Sequence, residues 1–213
     1  MNELKLYLSY WHKDAKGKTI KYRRYRSDSF VGNFYKHIYN QLFKSSLYQS
    51  VSISVRRTNA YIDNSIINVN GESANFYLGT VGELSASAGD DTLGIVVGSG
   101  STAVTLNDYN LVSKIPHGTT AGRLAYGAST VQNMDVSDPT LWTFKITRTF
   151  TNSSGAPIDI REIGLIGTYL RISGTLLTTD KVMIARDALS SSITVQPNDQ
   201  VLVQYKINFR KAP

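Results

Sequence analysis

Leu4, Leu6, Leu8 and Tyr10 alternate with Lys5, Tyr7 and Ser9 at the start of the chain. A period of two puts alternate side chains on opposite faces, so this segment predicts a half-buried strand. The polar stretch Lys13-Asp14-Ala15-Lys16-Gly17-Lys18 then supplies a turn, and Ile20 to Arg26 returns as the second arm of a hairpin. After Ser27-Asp28-Ser29 the period changes. Phe30, Val31, Phe34, Tyr35, Ile38 and Leu42 recur at spacings of three and four, the apolar stripe of an amphipathic helix. Ser27, Asp28 or Ser29 would cap it by accepting hydrogen bonds from its first N–H groups. Gly32 inside the stripe costs about 1 kcal/mol relative to Ala. Lys44 near its far end suits the helix dipole.

Beyond Ser46 short strands and turns follow one another. Val51, Ile53 and Val55 alternate with serines, and Ile66 and Val69 precede an Asn70-Gly71 turn signal, with Phe76 to Leu78 after it. Ser85 to Asp91 is small and polar and reads as a loop, whereas Leu93 to Val97 is a continuous apolar run, as in a strand buried on both faces. Trp142, Phe144, Ile146, Arg148 and Phe150 share one parity against Thr143, Lys145, Thr147 and Thr149. Asn152-Ser153-Ser154-Gly155 turns the chain. Ile158 and Ile160 hold one parity and Ile163 and Leu165 the other, which predicts a β-bulge near Arg161-Glu162. Lys181 to Ala185 forms another strand. Gln196-Pro197-Asn198-Asp199 turns into the cleanest alternation of all, Val201, Val203, Tyr205, Ile207 and Phe209. The expected fold is mainly β: an antiparallel sandwich of jelly-roll kind over residues 47–213, preceded by a basic hairpin and one amphipathic helix over residues 1–46, in a single domain of 213 residues.

Composition narrows this picture. Cysteine is absent, so disulfides and thiolate metal sites are excluded. No stretch approaches the roughly 18 apolar residues of a membrane-spanning helix. Met1-Asn2-Glu3-Leu4-Lys5 lacks the basic-then-apolar order of a signal peptide, so the chain is expected to be made in a cytoplasm. The net charge of +7 is uneven. Residues 1–57 carry 12 Lys/Arg and 3 Asp/Glu, giving +9, whereas residues 58–213 carry 11 and 13, giving −2. The basic surplus therefore belongs to the hairpin and helix region. Lys18, Lys21, Tyr22, Arg23, Arg24, Tyr25 and Arg26 are the candidate partner-binding residues. Interleaved tyrosines and arginines suit a protein–protein hot spot. The same interleaving suits base stacking, and a solvated hairpin is the plain structural alternative.

Catalytic chemistry is thinly represented. The three histidines, His12, His37 and His117, stand in no metal-ligand spacing. Gly98-Ser99-Gly100 superficially matches a phosphate loop, but Ser101-Thr102-Ala103-Val104-Thr105 follows in place of a helix, so a tight turn is the expectation. Asp90-Asp91 and the pair Asp135 and Asp138 lack calcium-loop spacing and read as turn residues. Asn152-Ser153-Ser154 matches a glycosylation acceptor and is read as a turn. Arg161 and Glu162, being sequence neighbours on a strand, point to opposite faces and cannot pair with each other. These readings place no enzyme, no cofactor and no metal.

Three stretches carry a family resemblance. Lys21 to Phe43 runs from the basic strand through Ser27-Asp28-Ser29-Phe30-Val31-Gly32-Asn33-Phe34. Gly98-Ser99-Gly100-Ser101-Thr102-Ala103-Val104-Thr105 leads to Asn107-Asp108-Tyr109-Asn110-Leu111. Arg148-Thr149-Phe150-Thr151-Asn152 leads through Arg161-Glu162-Ile163-Gly164-Leu165 and Ala185-Arg186-Asp187 to Asn198-Asp199 and Val201 to Phe209. In this order they resemble β-sandwich structural proteins of tailed, podovirus-like bacteriophages, crAss-like ones included. The resemblance implies a virion component at the head–tail junction (a ring or collar), in the tail or on the head. It implies homo-oligomeric assembly in a symmetric ring, with portal, capsid, tail or ring proteins as neighbours, and it brings no catalytic residue. The family pattern often has Gly where Asn198 stands. In the chain's own terms, Asp108 would close an Asx turn that anchors Leu111, and Gly164 would let a neighbouring backbone approach. Three functions remain open alongside assembly: a carbohydrate- or receptor-binding tail-fibre component using Trp142 and Tyr126, a capsid decoration protein, and nucleic-acid binding through Lys13 to Arg26, the last being the less favoured.

Overall fold

A computed structural model describes residues 3–27, 30–31, 51–55, 65–69, 84–173 and 176–210. Among the described residues the protein is built from antiparallel strands, and no helix there is long and apolar enough to cross a membrane. The predicted hairpin forms from β1 (Glu3–Lys13) and β2 (Thr19–Ser27). Its turn closes because the Asp14 carboxylate accepts hydrogen bonds from the Lys16 and Lys18 N–H groups at 3.0 and 2.9 Å. Gly17 supplies the left-handed φ of +80° that the turn requires.

β3 (Val51–Val55) pairs with β4 (Ser65–Val69) as a separate two-stranded ladder. β5 (Gly94–Gly98), β9 (Ile158–Ser173) and β10 (Leu176–Val195) form a three-stranded sheet in the order β10-β9-β5. β8 (Leu141–Thr151) and β11 (Gln200–Arg210) join the hairpin in a six-stranded sheet of order β2-β1-β11-β8. The far edge of β8 is shared by the short β6 (Ala125–Tyr126) and by β7 (Thr130–Asp138). β7 is a strand where the aspartates had suggested only turns. Its register slips twice, between Gln132 and Asp135 and between Asp135 and Asp138, so its turn chemistry survives within a bulged edge strand.

One core unites the two larger sheets. Leu8, Ile146, Phe150, Val203 and Tyr205 of the six-stranded sheet are buried together with Ile95, Val97, Ile163, Leu165 and Met183 of the three-stranded one. The Tyr205 hydroxyl crosses between them, lying 3.2 Å from the Ile163 carbonyl and 2.7 Å from the Asp187 carboxylate. Burial, with Asp187 as the second cause, holds its pKa well above the usual tyrosine value, so it stays a neutral donor.

The parity change in β9 has a different origin from the one the sequence suggested. β9 pairs with β5 in unbroken register from Glu162 to Ile166. The irregularity opposite Arg161 belongs to β10, where Leu189 to Ser192 stand between Ala188 and Ile193 while Arg161 alone stands between Glu162 and Ile160. From Glu162 to Gly167 both faces of β9 are buried, which is why Ile163 and Leu165 are apolar at the other parity. A second slip leaves Ile184 of β10 unmatched between Met183 and Ala185. Its carbonyl accepts from the Val31 N–H at 3.1 Å, and Phe30 bridges Ala185. Phe30 and Val31, the first two positions of the predicted helical stripe, thus sit buried against a strand. The rest of that helix, residues 32–46, lies outside the described residues, as do Asn70-Gly71 and Phe76 to Leu78.

Asn198 is the one described non-glycine residue with positive φ, at 69°. Asn tolerates this region, and a β-branched residue does not. Asn198→Gly is expected to leave stability nearly unchanged, and Asn198→Val to cost about 1–2 kcal/mol, both measured by urea unfolding. Equal midpoints for the two variants would refute the left-handed turn.

Candidate functional site

The buried charges account for the sequence motifs. Glu162 is 0% exposed on β9. Its Oε1 accepts hydrogen bonds from the Gly100 and Ser113 N–H groups at 3.1 and 2.8 Å, and its Oε2 from the Val112 N–H at 3.0 Å. Arg186 Nε donates to Oε2 at 2.8 Å. The remaining Arg186 donors reach the Asp108 carboxylate at 2.7 Å and the Thr102 and Ala103 carbonyls. Burial alone would depress the Arg186 pKa, but Asp108 and Glu162 outweigh it and hold it above the usual arginine value. Gly98-Ser99-Gly100 therefore belongs to a backbone nest that does hold an anion, and the anion is the protein's own Glu162 carboxylate. A Cβ at Gly98 or Gly100 would fall 2.5 Å from Glu162 Oε1, so only glycine permits the approach.

Asp108 bonds backward and not forward as the expected Asx turn would: it accepts from the Thr105 N–H and hydroxyl at 3.0 and 2.8 Å, and Leu111 is buried. Gly164 faces side chains, not the backbone its glycine had suggested. A Cβ there would meet Leu111, Val96 and Met183 at 3.0–3.2 Å. Arg161 and Glu162 do point apart: Arg161 lies at the surface, 3.4 Å from Asp159, while Glu162 is buried.

Arg148 is 1% exposed, and backbone carbonyls take all five of its N–H donors. Nε donates to Gly127, Nη1 to Leu93 and Ile95, and Nη2 to Ser87 and Asp90, at 2.6–3.1 Å. Its guanidinium also lies 4.8 Å from the Tyr126 ring centroid. Burial lowers its pKa below the usual arginine value. Arg148 was legible as the one charge in the apolar parity of β8, a position that a buried, fully satisfied guanidinium fills.

The histidines have structural partners too. His12 Nε2 lies 2.8 Å from Asp199 Oδ2, tying β1 to the Asn198 turn. His117 Nδ1 accepts from the Tyr126 N–H at 3.1 Å, and the His117 backbone N–H donates to Asp91 at 2.7 Å, which also pairs with Lys114 at 2.6 Å. His37 lies outside the described residues. Among the described residues no three His, Cys, Asp or Glu side chains gather as a metal site. Tyr126, a candidate glycan contact, is 2% exposed and donates to the Ile115 carbonyl at 2.6 Å, so it belongs to the core. Trp142 is 48% exposed.

The basic candidates all lie on the hairpin, but the strand divides them. Lys18 sits at the exposed turn. Tyr22, Arg24 and Arg26 oppose Trp11, Ser9 and Tyr7 and share the outer face of the sheet. Lys21, Arg23 and Tyr25 oppose His12, Tyr10 and Leu8 on the inner side, where Tyr25 packs beside the core and the Arg23 side chain remains exposed. On the outer face the Arg24 guanidinium lies 4.7 Å from the Tyr7 ring centroid, and Tyr22 lies 5.0 Å from Trp11. The ladder adds two residues that the sequence reading missed. Lys206 of β11 stands opposite both Tyr7 and Lys145 of β8. Lys206 is held below the usual lysine pKa by partial burial, then by repulsion from Arg24 and Lys145.

Glu162→Gln is expected to destabilise the fold by about 3–5 kcal/mol, because it leaves Arg186 buried against an uncharged amide. Glu162→Gln with Arg186→Met should cost less than the sum of the single changes in guanidinium chloride unfolding. Additive losses would mean that the pair does not act as a unit. No family model matches the chain, and no curated protein or solved structure matches it.

Proposed function

We propose that this chain is a non-catalytic structural protein of a tailed-phage particle. In this reading it is an antiparallel β-sandwich of jelly-roll kind, present in many copies at the head–tail junction or in the tail. It binds neighbouring virion proteins through its basic hairpin. The observation that carries the binding role is the division of the charges. Glu162, Arg186 and Arg148 are buried, whereas Tyr22, Arg23, Arg24 and Arg26 are exposed on β2, which ends the described six-stranded sheet. The virion reading rests on the ordered resemblance of its motifs. The geometry gives those motifs a shared purpose: Gly98-Ser99-Gly100, Asp108, Glu162 and Arg186 form one hydrogen-bonded assembly. Heterologous contacts between copies that close on themselves would give the ring.

Replacing Arg23, Arg24 and Arg26 together by Glu tests the role. Exposed positions tolerate such changes within about 0.5 kcal/mol each, so circular dichroism and the unfolding midpoint should stay close to those of the parent. Incorporation into purified particles, measured by mass spectrometry, should fall at least about tenfold, the scale of 1.4 kcal/mol of lost contact. A folded triple variant that is incorporated like the parent would overturn the role assigned to the hairpin.

A further inference from the structure

We propose that the outer face of the six-stranded sheet takes an acidic segment of a partner protein other than a second copy of this chain. The proposal rests on the assembly reading above and names the chemistry of the partner.

The surface is created by register. Arg26 opposes Tyr7, Tyr7 opposes Lys206, and Lys206 opposes Lys145, so one straight row crosses β2, β1, β11 and β8. At a strand spacing of about 4.8 Å the row spans roughly 14 Å. The neighbouring row carries Arg24 with the half-buried Gln204 and Thr147, which add hydrogen-bonding groups, while Ser9 between them is buried. Like charges directly opposite one another destabilise a sheet. Lys145 and Lys206 stand opposite; among the described residues the exposed Asp135 carboxylate, across from Thr143, attracts both from beyond salt-bridge distance and offsets part of their repulsion. A facing carboxylate removes that repulsion, so the face is complementary to an anion.

Two observations select the kind of anion. Single-stranded nucleic-acid platforms add open aromatic faces, on which bases stack, to the cations that hold the phosphates. Here the Arg24 guanidinium already lies against the Tyr7 ring, and Tyr22 against Trp11. Carboxylates need no such faces and suit forked guanidinium donors. Among the described residues a second copy offers few unengaged carboxylates, since Asp14, Asp90 and Asp159 are also bonded within their own chain. Among the described residues Asp91, Asp108, Glu162, Asp187 and Asp199 are engaged inside the protein. The exposed Asp135 and Asp138 sit on β7, beside the proposed face, each bonded to its own turn.

A short fluorescein-labelled poly-L-glutamate is the probe, and an oligothymidylate of equal charge is its comparison, both followed by fluorescence anisotropy at low and physiological salt. Lys145→Glu with Lys206→Glu should weaken polyglutamate binding about tenfold. The charge-matched control, Arg123→Glu with Arg161→Glu at exposed positions away from the hairpin, should change it less than about twofold. If the reversed pair fails to fold, Lys145→Gln with Lys206→Gln replaces it, with the same direction expected. Equal losses from both pairs would mean diffuse attraction and overturn the proposal. Tighter binding of the oligothymidylate, lost on Tyr22→Ala, would make the face a nucleic-acid surface and overturn it equally. Concentration-dependent self-association that the Lys145 and Lys206 changes abolish would identify a second copy as the occupant, against the proposal. Absence of the chain from particles would remove the assembly reading while leaving the polyglutamate result standing, so the two can fail separately.

Discussion

A buried carboxylate must be matched donor for donor, and the matching of Glu162 organises one side of this protein. Three backbone N–H groups and one guanidinium converge on its two oxygens. The three N–H donors come from the segment between β5 and β6 and the guanidinium from β10, so a stretch without regular strands is tied to the sheet through one carboxylate. Arg186 extends the assembly to Asp108 and to two further carbonyls. Removing one member would leave a buried charge unmatched, which costs more than the intact pair contributes. The glycines at 98 and 100, the turn at Asp108 and the packing of Leu111 near Gly164 all follow from seating this carboxylate.

Arg148 performs the complementary task at the other side of β5. It gathers three carbonyls of the chain before β5, the Ile95 carbonyl of β5 itself and the Gly127 carbonyl after β6. Carbonyls without ladder partners need donors, and one planar guanidinium supplies five in a fixed geometry. Large irregular segments are thus anchored by two buried arginines with different counterparts: carboxylates for Arg186 and backbone carbonyls for Arg148.

This use of charge has a consequence at the surface. Many acidic side chains are turned inward, while Arg24, Arg26, Lys145 and Lys206 remain on the outer sheet face. The surface there is more basic than the composition of the later chain indicates. The charge division between residues 1–57 and 58–213 locates the hairpin correctly, yet it conceals Lys145 and Lys206, which sit in the nominally acidic part.

The alternation of apolar residues determined β1, β8 and β11, because a strand with one face in the core must repeat every two residues; a continuous apolar run marked β5, and the polar turn after β1 marked β2 as its return arm. Local chemistry determined the Gly17 and Asn198 turns, where φ is positive and few residues fit. Arg148 was visible as a charge at an apolar parity, although its partners were not. Only the tertiary structure decided that the parity change in β9 reflects burial on both faces, that Glu162 is the anion of the glycine loop, and that β7 is a strand. It alone decided that Lys145 and Lys206 lie in one row with Arg26. Strand order and register fix these relations by pairing residues far apart in the chain, and a pattern read along one strand holds no information about which strand will lie beside it.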